Sequence, residues 1–360
     1  IIMSKMKANV FYEPLKMKLE EIEIPEIAAN EVLIKVKAVG ICGSDISYYY
    51  GHSPLGTPDG KGPLVLGHEF SGVVEKLGEI PAKMGMLKVG DRVCVNPVAP
   101  CNACVPCLNG EYNECENLAV YGVDQNGAFA EYTKAMYSNV YKIPDTVSFE
   151  EAAVAEPLAC STYSVKKLDV KLGQTAVIFG CGPIGLMDVQ LVKASGAGKV
   201  FVVDIADYNL EKALELGATQ AFNTLDKNSK YYTADLVASV KAANNGRLAQ
   251  RAVVPTNAMV ALQQALQVTG PSSTVVFFGL PSPDDVLKIG ALDAIQADRT
   301  IKFSWLAPLV WDNVFNVIAS GQVKLGSLIT HRFTLDQVEQ GIKFMKESKD
   351  NKVKGVILVD

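Results

Sequence analysis

The sequence predicts a two-domain α/β protein, with an irregular β-rich domain, then a doubly wound parallel sheet, then a return to the first domain. Three observations carry this expectation. A chain of 360 residues is longer than one ordinary core requires, and at roughly 100 to 200 residues per domain it suggests two. Up to about residue 155 the chain reads as short β-type runs broken by Gly, Pro and Asn. From about Lys171 strand-like and helix-like segments alternate, the pattern of parallel strands joined by crossover helices.

The elements follow in order. In the first part, "EVLIKVKAVG", "FSGVVEKLG", "DRVCVNPV" and "AFAEYTKA" read as strands. The tyrosines of "SYYYGHSP" read as an extended segment, in which alternate side chains share a face. The run "GHSPLGTPDGKGP" reads as a mobile loop, because its Gly and Pro density forbids regular structure. The second part gives a strand at "TAVIFG", a helix at "PIGLMDVQLVKASG", a strand at "KVFVVD" and a helix at "NLEKALELG", with further strands at "RAVVP" and "TVVFFG". After about residue 303 come a strand at "SLITHRF", a capped amphipathic helix at "TLDQVEQGIKFMKES" and a closing strand at "KGVILVD".

Composition excludes several function classes. With 49% hydrophobic and 20% charged residues the chain can bury a sizeable interior, so disorder is disfavoured. A net charge of −5 leaves no basic footprint for nucleic acid or for a membrane surface. No apolar run approaches the roughly 18 residues of a membrane span, and the amino terminus has no secretory h-region, so a cytoplasmic location is expected. A small molecule is the default ligand.

Gly180, Gly182 and Gly185 spell Gly-x-Gly-x-x-Gly between an apolar strand and a helix, with Pro183 and Ile184 opening that helix. A pyrophosphate needs this arrangement: a tight turn, close backbone approach and a helix amino terminus with free N–H groups. Asp204 ends the next strand, placed to accept from both ribose hydroxyls and to repel a 2′-phosphate, which favours NAD over NADP.

Four of the eight cysteines, Cys101, Cys104, Cys107 and Cys115, crowd into "PCNACVPCLNGEYNEC". Two-residue gaps let thiolates converge on one tetrahedral Zn²⁺ that would order a loop poor in apolar residues; an iron–sulfur cluster or disulfides are the alternatives. A second constellation is dispersed: Cys42 in "GICGSD", His68 and Glu69 in "GHEF", and Glu156 in "EPLAC". A thiolate, an imidazole and a carboxylate would supply the three ligands of a catalytic zinc with one open position. Cys94, Cys160 and Cys181 read as buried non-ligands.

Together, "GICGSD", "GHEFSGVV", "VGDRV", the four-cysteine lobe, "GAFAEY", "EPLAC", "GCGPIGL", "ELGA" and "ITHRF" resemble the zinc-dependent medium-chain dehydrogenase/reductase superfamily over nearly the full chain. Its sorbitol (polyol) and butanediol dehydrogenase branch is the nearest in pattern. The resemblance implies a GroES-like catalytic domain over 1–157, rejoined by 304–360, and a Rossmann NAD-binding domain over 158–303, with the active site in the cleft between them. It implies zinc ligation by Cys42, His68 and Glu69, with Glu156 binding the metal or holding its water. Ser44 would lie beside the reacting oxygen and take its proton as the first station of a relay, and Asp45 would steady the loop or a metal ligand. The implied activity is oxidation of a secondary alcohol of a polyol, cyclic polyol or sugar derivative, with two Zn²⁺ per chain and NAD, in a homodimer or homotetramer. A strand such as "TVVFFGL" would pair across the subunit interface. Threonine, a vicinal diol or a sugar phosphate, or a non-enzymatic dinucleotide-binding relative, are the alternatives.

Four positions depart from the family pattern. Ser47 stands where many relatives carry a relay histidine, leaving His52 as a substitute. Ser304 and Trp305 replace an Arg-Tyr pair that holds polyol hydroxyls in sorbitol dehydrogenases, so a ring or a shorter apolar carbon frame stacked by Trp305 or Trp311 is expected instead of sorbitol. Asn209 takes the place of an adenine-packing arginine. Ser47, Tyr48, Tyr121, Ser304 and Trp305 are the expected substrate-facing residues.

Overall fold

A computed structural model describes residues 5–53 and 62–360. The chain forms two compact units, one comprising Ile1–Pro157, Trp311–Ser320 and Lys324–Asp360, the other Leu158–Val310 and Gly321–Val323.

The first unit opens with β1 (Lys5–Glu13), β2 (Lys16–Glu23), β3 (Glu31–Gly40), α1 (Gly43–Tyr49), β4 (Leu64–Val65), β5 (Glu69–Leu77) and α2 (Glu79–Met84). It continues through β6 (Arg92–Val95), β7 (Val98–Ala99), α3 (Val105–Leu108), β8 (Ala119–Val120), β9 (Tyr132–Met136), β10 (Val140–Lys142) and α4 (Phe149–Ala153). Helix α5 (Ala155–Leu168) leads into the second unit. There β11 (Thr175–Phe179), α6 (Pro183–Ala194), β12 (Lys199–Asp204), α7 (Asp207–Glu215), β13 (Gln220–Asn223) and α8 (Leu236–Ala243) are followed by β14 (Ala249–Val254), α9 (Met259–Gln267), β15 (Thr269–Phe277), α10 (Ala291–Gln296) and β16 (Thr300–Phe303). The first unit is completed by α11 (Trp311–Ala319), β17 (Ile329–Thr334), α12 (Val338–Glu347) and β18 (Lys354–Leu358).

In the first unit a mixed sheet runs β10-β6-β5-β3-β18-β17 with β9 also on β3, beside the sheet β2-β1-β4 and the pair β7-β8. The closing strand β18 lies antiparallel to β3, pairing Val356 with Gly40, so the carboxyl-terminal end of the chain reaches the segment that carries Cys42. The core gathers Ile34, Leu66, Phe70 and Phe129, all fully buried, and along β3 the half-buried Lys35 and Lys37 alternate with the buried Val36 and Ala38.

The second unit is one parallel sheet in the order β13-β12-β11-β14-β15-β16. The order reverses between β12 and β14, on either side of β11, which places the loop after β11 at the topological switch point where such sheets bind ligands. All five residues of β11 are buried, as a strand covered by helices on both faces requires.

Three expectations are corrected. The tyrosine run is helical, not extended, because Cys42 caps α1 and Asp45 returns its carboxylate to the Cys42 N–H in a capping box. "TVVFFGL" belongs to β15, an interior strand with neighbours on both sides, so it has no free edge to pair with a second subunit. The return to the first unit begins at Trp311 rather than at residue 304, since β16 and the following residues stay with the parallel sheet and the Ser304 N–H donates to the Phe277 carbonyl. The loop expected at "GHSPLGTPDGKGP" lies mostly outside the described residues.

Candidate active site and metal centres

Cys42, His68 and Glu69 bring one ligand atom each to within 4.8 Å of one another, although they come from the α1 cap and the start of β5. His68 and Glu69 are buried and Cys42 is half-buried. The β3–β5 pairing, which sets Gly40 opposite Glu69, is what brings the two segments together. A Cβ on Gly40 would stand 2.1 Å from the Glu69 Oε2, so a larger residue there would displace this carboxylate.

Asp45 organises this cluster without joining it. Its carboxylate is fully buried, accepts from the Cys42 N–H at 2.8 Å and the Gly67 N–H at 3.3 Å, and lies 3.6 Å from His68 Nδ1. A carboxylate on the Nδ1 side favours the tautomer that leaves the Nε2 lone pair free for a metal. Burial opposes a charge on His68, yet Cys42 and Asp45 outweigh it and raise the imidazole well above its ordinary value. Ser44 Oγ sits 3.5 Å from His68 Nε2, on the metal-facing side of the ring.

Sequence reasoning missed Lys354. This ammonium from β18 is buried, donates to the Ile41 carbonyl at 3.0 Å, and lies 2.8 and 2.6 Å from the two oxygens of Glu69. Burial works against its charge, but Glu69, with Cys42 and Asp45, holds its pKa above that of an ordinary lysine. In "NKVKGVILVD" a lysine at the head of an apolar strand reads as a solvated strand end, and only the β3–β18 pairing reveals its partner.

The other expected residues are placed as follows. Glu156 is buried in the first turn of α5, outside the convergent set. Ser47 Oγ donates to the Gly43 carbonyl one helical turn back, and His52 is exposed. Tyr48 is buried in α1, and burial raises its phenol pKa. Tyr121 is a core residue whose hydroxyl accepts from the Met136 N–H, which gives it a packing role rather than a free hydroxyl. Ser304 is buried with no hydrogen-bond partner for its hydroxyl, and Trp305 is half-buried. Trp311 stacks on Tyr141 at a centroid separation of 5.4 Å and 19° between planes.

The four-cysteine lobe has the geometry of a closed metal site. Cys101 and Cys107 sulfurs are 4.0 Å apart, and Cys104 and Cys115 sulfurs 3.9 Å. Metal–sulfur bonds of about 2.3 Å on a tetrahedron require sulfur–sulfur edges of about 3.8 Å. None of the four is in a disulfide. Cys115 Sγ accepts from the Cys101 and Asn117 N–H groups at 3.2 and 3.4 Å, and the Ala103 and Cys104 N–H groups pull the Cys101 thiol down to about 6, whereas burial pushes the Cys107 thiol up to about 12. The donor sets of both centres, sulfur alone in one and sulfur, nitrogen and oxygen in the other, suit Zn²⁺.

The glycine turn is equally specific. Gly180 takes a left-handed φ of +95°, and a Cβ on Gly185 would come within 1.8 Å of the Gly180 carbonyl oxygen. Gly182 caps α6, and a Cβ there would meet nothing within 4 Å. Packing therefore does not demand glycine at 182, whereas a pyrophosphate brought close to the helix amino terminus would. Pro183 takes the first turn of α6, followed by the half-buried Ile184. Asp204 accepts from the Cys181 N–H at 2.5 Å and from the Ile205 and Ala206 N–H groups at 2.7 and 2.8 Å, which locks its carboxylate beside the turn. Asn209 lies half-buried in the first turn of α7.

Comparison with known proteins gives two family matches: the alcohol dehydrogenase GroES-like domain over residues 28–145, and the zinc-binding dehydrogenase domain over residues 183–320. The chain is 33% identical to the sorbitol dehydrogenase of Bacillus subtilis strain 168, over 98% of this chain and 97% of that one. It is 34% identical to the L-threonine 3-dehydrogenase of the same organism, over 93% of each chain. A crystal structure of an alcohol dehydrogenase from Escherichia coli CFT073, complexed with cofactor NADH, superposes with a TM-score of 0.88 at 31% identity over 99% of both chains.

Proposed function

The chain belongs to the zinc-dependent medium-chain dehydrogenase/reductase superfamily, and from that premise we propose that Cys42, His68 and Glu69 hold a catalytic zinc at which a secondary alcohol of a polyol or related sugar derivative is oxidised to a ketone. The enzyme is an NAD-dependent, zinc-containing alcohol dehydrogenase. The observation that carries the site assignment is the buried convergence of a thiolate, an imidazole and a carboxylate from two separate segments.

Zinc, when bound, supplies the Lewis acidity that makes an alcohol proton labile near neutral pH. NAD supplies the hydride acceptor. The chain's own residues do the rest. Ser44 Oγ, beside His68 Nε2, accepts the alcohol proton as its own hydroxyl proton is released to solvent water. Ser47 is turned to its own helix, so the route does not run through it. Asp45 holds the His68 ring and the α1 cap in register, and Lys354 neutralises Glu69 from the rear. The Gly180–Gly185 turn seats the pyrophosphate and Asp204 the ribose. Cys101, Cys104, Cys107 and Cys115 hold a second, structural zinc.

Sorbitol dehydrogenase and D-xylulose reductase relatives support a polyol, while L-threonine 3-dehydrogenase relatives, one of them matched over 97% of this chain, keep threonine as the second reading. Within the polyol reading, Ser304 and Trp305 in place of an Arg-Tyr pair favour a less hydroxylated or cyclic carbon frame than sorbitol. A panel of acyclic polyols, inositols, vicinal diols and L-threonine, followed at the NADH absorbance, tests this. Turnover of a polyol or cyclic polyol is expected; turnover of threonine alone overturns the substrate class.

The enzyme acts in the cytoplasm as a symmetric homo-oligomer joined along β16, one of the two edge strands of the parallel sheet. Leu292, Ile295 and Phe303, from α10 and β16, are 69, 75 and 65% exposed, more apolar surface than an unpartnered edge carries comfortably.

A further inference from the structure

Within the second unit, α6 carries a charge-bearing side chain where its packing allows none. Asp188 stands one and a half turns from the amino terminus of α6 and is fully buried, in a stretch of that helix, Gly185 to Val192, whose residues are all buried. One carboxyl oxygen accepts from the Ser161 hydroxyl of α5, while the other has no hydrogen-bond partner. Ser164, fully buried one turn further along α5, completes the cluster.

Among the described residues no cation pairs with this carboxyl. On α5 it meets only the two serines. Of the elements packed on α6, β11 has no charged residue, and those of β12 and α7 turn to other partners. Lys199 donates to the Ala243 carbonyl, Asp204 accepts from backbone N–H groups, and Asp207 accepts from Asn223 and Ser229. Glu211 pairs with Lys230, and Lys212 with Glu215. An isolated carboxylate in such surroundings is far costlier than a neutral carboxyl, which keeps its serine contact and can donate from the oxygen that now lacks a partner.

We propose that Asp188 is a positioning residue that works as a protonated carboxyl, joining α6 to α5 so that the Gly182 end of α6 is fixed for the dinucleotide, and that losing the proton leaves an uncompensated charge buried between the two helices, which disturbs their packing and weakens cofactor binding. The proposal rests on the reading of the glycine turn as the NAD site. Burial raises the Asp188 carboxyl to about 8, with the serines pulling it the other way, so the change falls in the mildly alkaline range.

The test is NADH affinity, read by fluorescence from about pH 6.5 to about pH 9.5, for the wild-type protein and for Asp188→Asn, Asp188→Ala and Ser161→Ala. The wild type is expected to bind about tenfold more weakly at the alkaline end. Asp188→Asn, shaped like the neutral acid, keeps the neutral-pH affinity and loses the alkaline decline. Asp188→Ala, with no such join, binds more weakly throughout. Ser161→Ala removes a donor that favours the charged form, so its decline moves to higher pH; that direction decides the matter should Asp188→Asn not fold. A decline identical in wild type and Asp188→Asn, or a wild-type affinity independent of pH, overturns the role of Asp188 and leaves the dinucleotide site standing. No NADH binding at any pH overturns both.

Discussion

At the scale of single residues the site is an arrangement of charges that would repel or desolvate one another without their neighbours. Cys42, Asp45 and Glu69 bring three acidic groups together, and Lys354 is the buried cation that offsets them. Lys354→Met leaves Glu69 buried and unpaired, so metal-stripped protein is expected to lose about 3 to 5 kcal/mol in urea unfolding, with Lys354→Met/Glu69→Gln recovering part of it. An unchanged midpoint for the single variant would mean that the pair adds nothing. Ser44→Ala removes the proton acceptor alone: kcat should fall by about 10² to 10⁴, with zinc content and NADH affinity unaltered. A variant as fast as wild type would take Ser44 out of the proton path. Cys42 and His68 were legible as scarce residue types, His68 being one of three histidines, and Glu69 through its place in "GHEFSGVV". Lys354 and Asp188 were not, because burial and partner are properties of the folded chain and one lysine or aspartate among many carries no local signal.

At the scale of elements, the glycine turn separates two reasons for the same residue. Gly185→Ala must push a methyl into the Gly180 carbonyl and should cost at least about 2 kcal/mol of stability, whereas Gly182→Ala meets open space and should leave thermal unfolding unchanged while weakening NADH binding about tenfold or more. Equal effects of both variants on stability would contradict the assignment of Gly182 to the cofactor. This strand, turn and helix could be read directly from sequence, since apolar run, glycines and Pro183 all point the same way. The tyrosine segment misled for a physical reason: glycines and tyrosines disfavour a helix, and the capping box between Cys42 and Asp45 outweighs that preference. Tyr49 and Tyr50 then donate to Glu339 and Glu347 of α12, fastening α1 to a helix nearly 300 positions away, which no local pattern announces.

At the scale of the whole molecule, alternation of strand and helix was enough to foresee the parallel sheet, but not which strand would be its edge. Strand order depends on which crossover goes to which side, so the apolar β15 looked like an edge strand, whereas it is interior and β16, shorter and half-exposed, is one of the two edges. If β16 joins subunits, Phe303→Asp should shift the sedimentation of the protein from oligomer to monomer without unfolding it; an oligomer of unchanged size would place the interface elsewhere. The central claim is that one chain holds two zinc ions in two chemically different grips. An anomalous difference map collected at the zinc edge from zinc-loaded crystals tests it most directly. Two peaks per chain are predicted, one enclosed by Cys101, Cys104, Cys107 and Cys115 and one bonded by Cys42 and His68. A map with the first peak and no density between Cys42 and His68 would contradict the account.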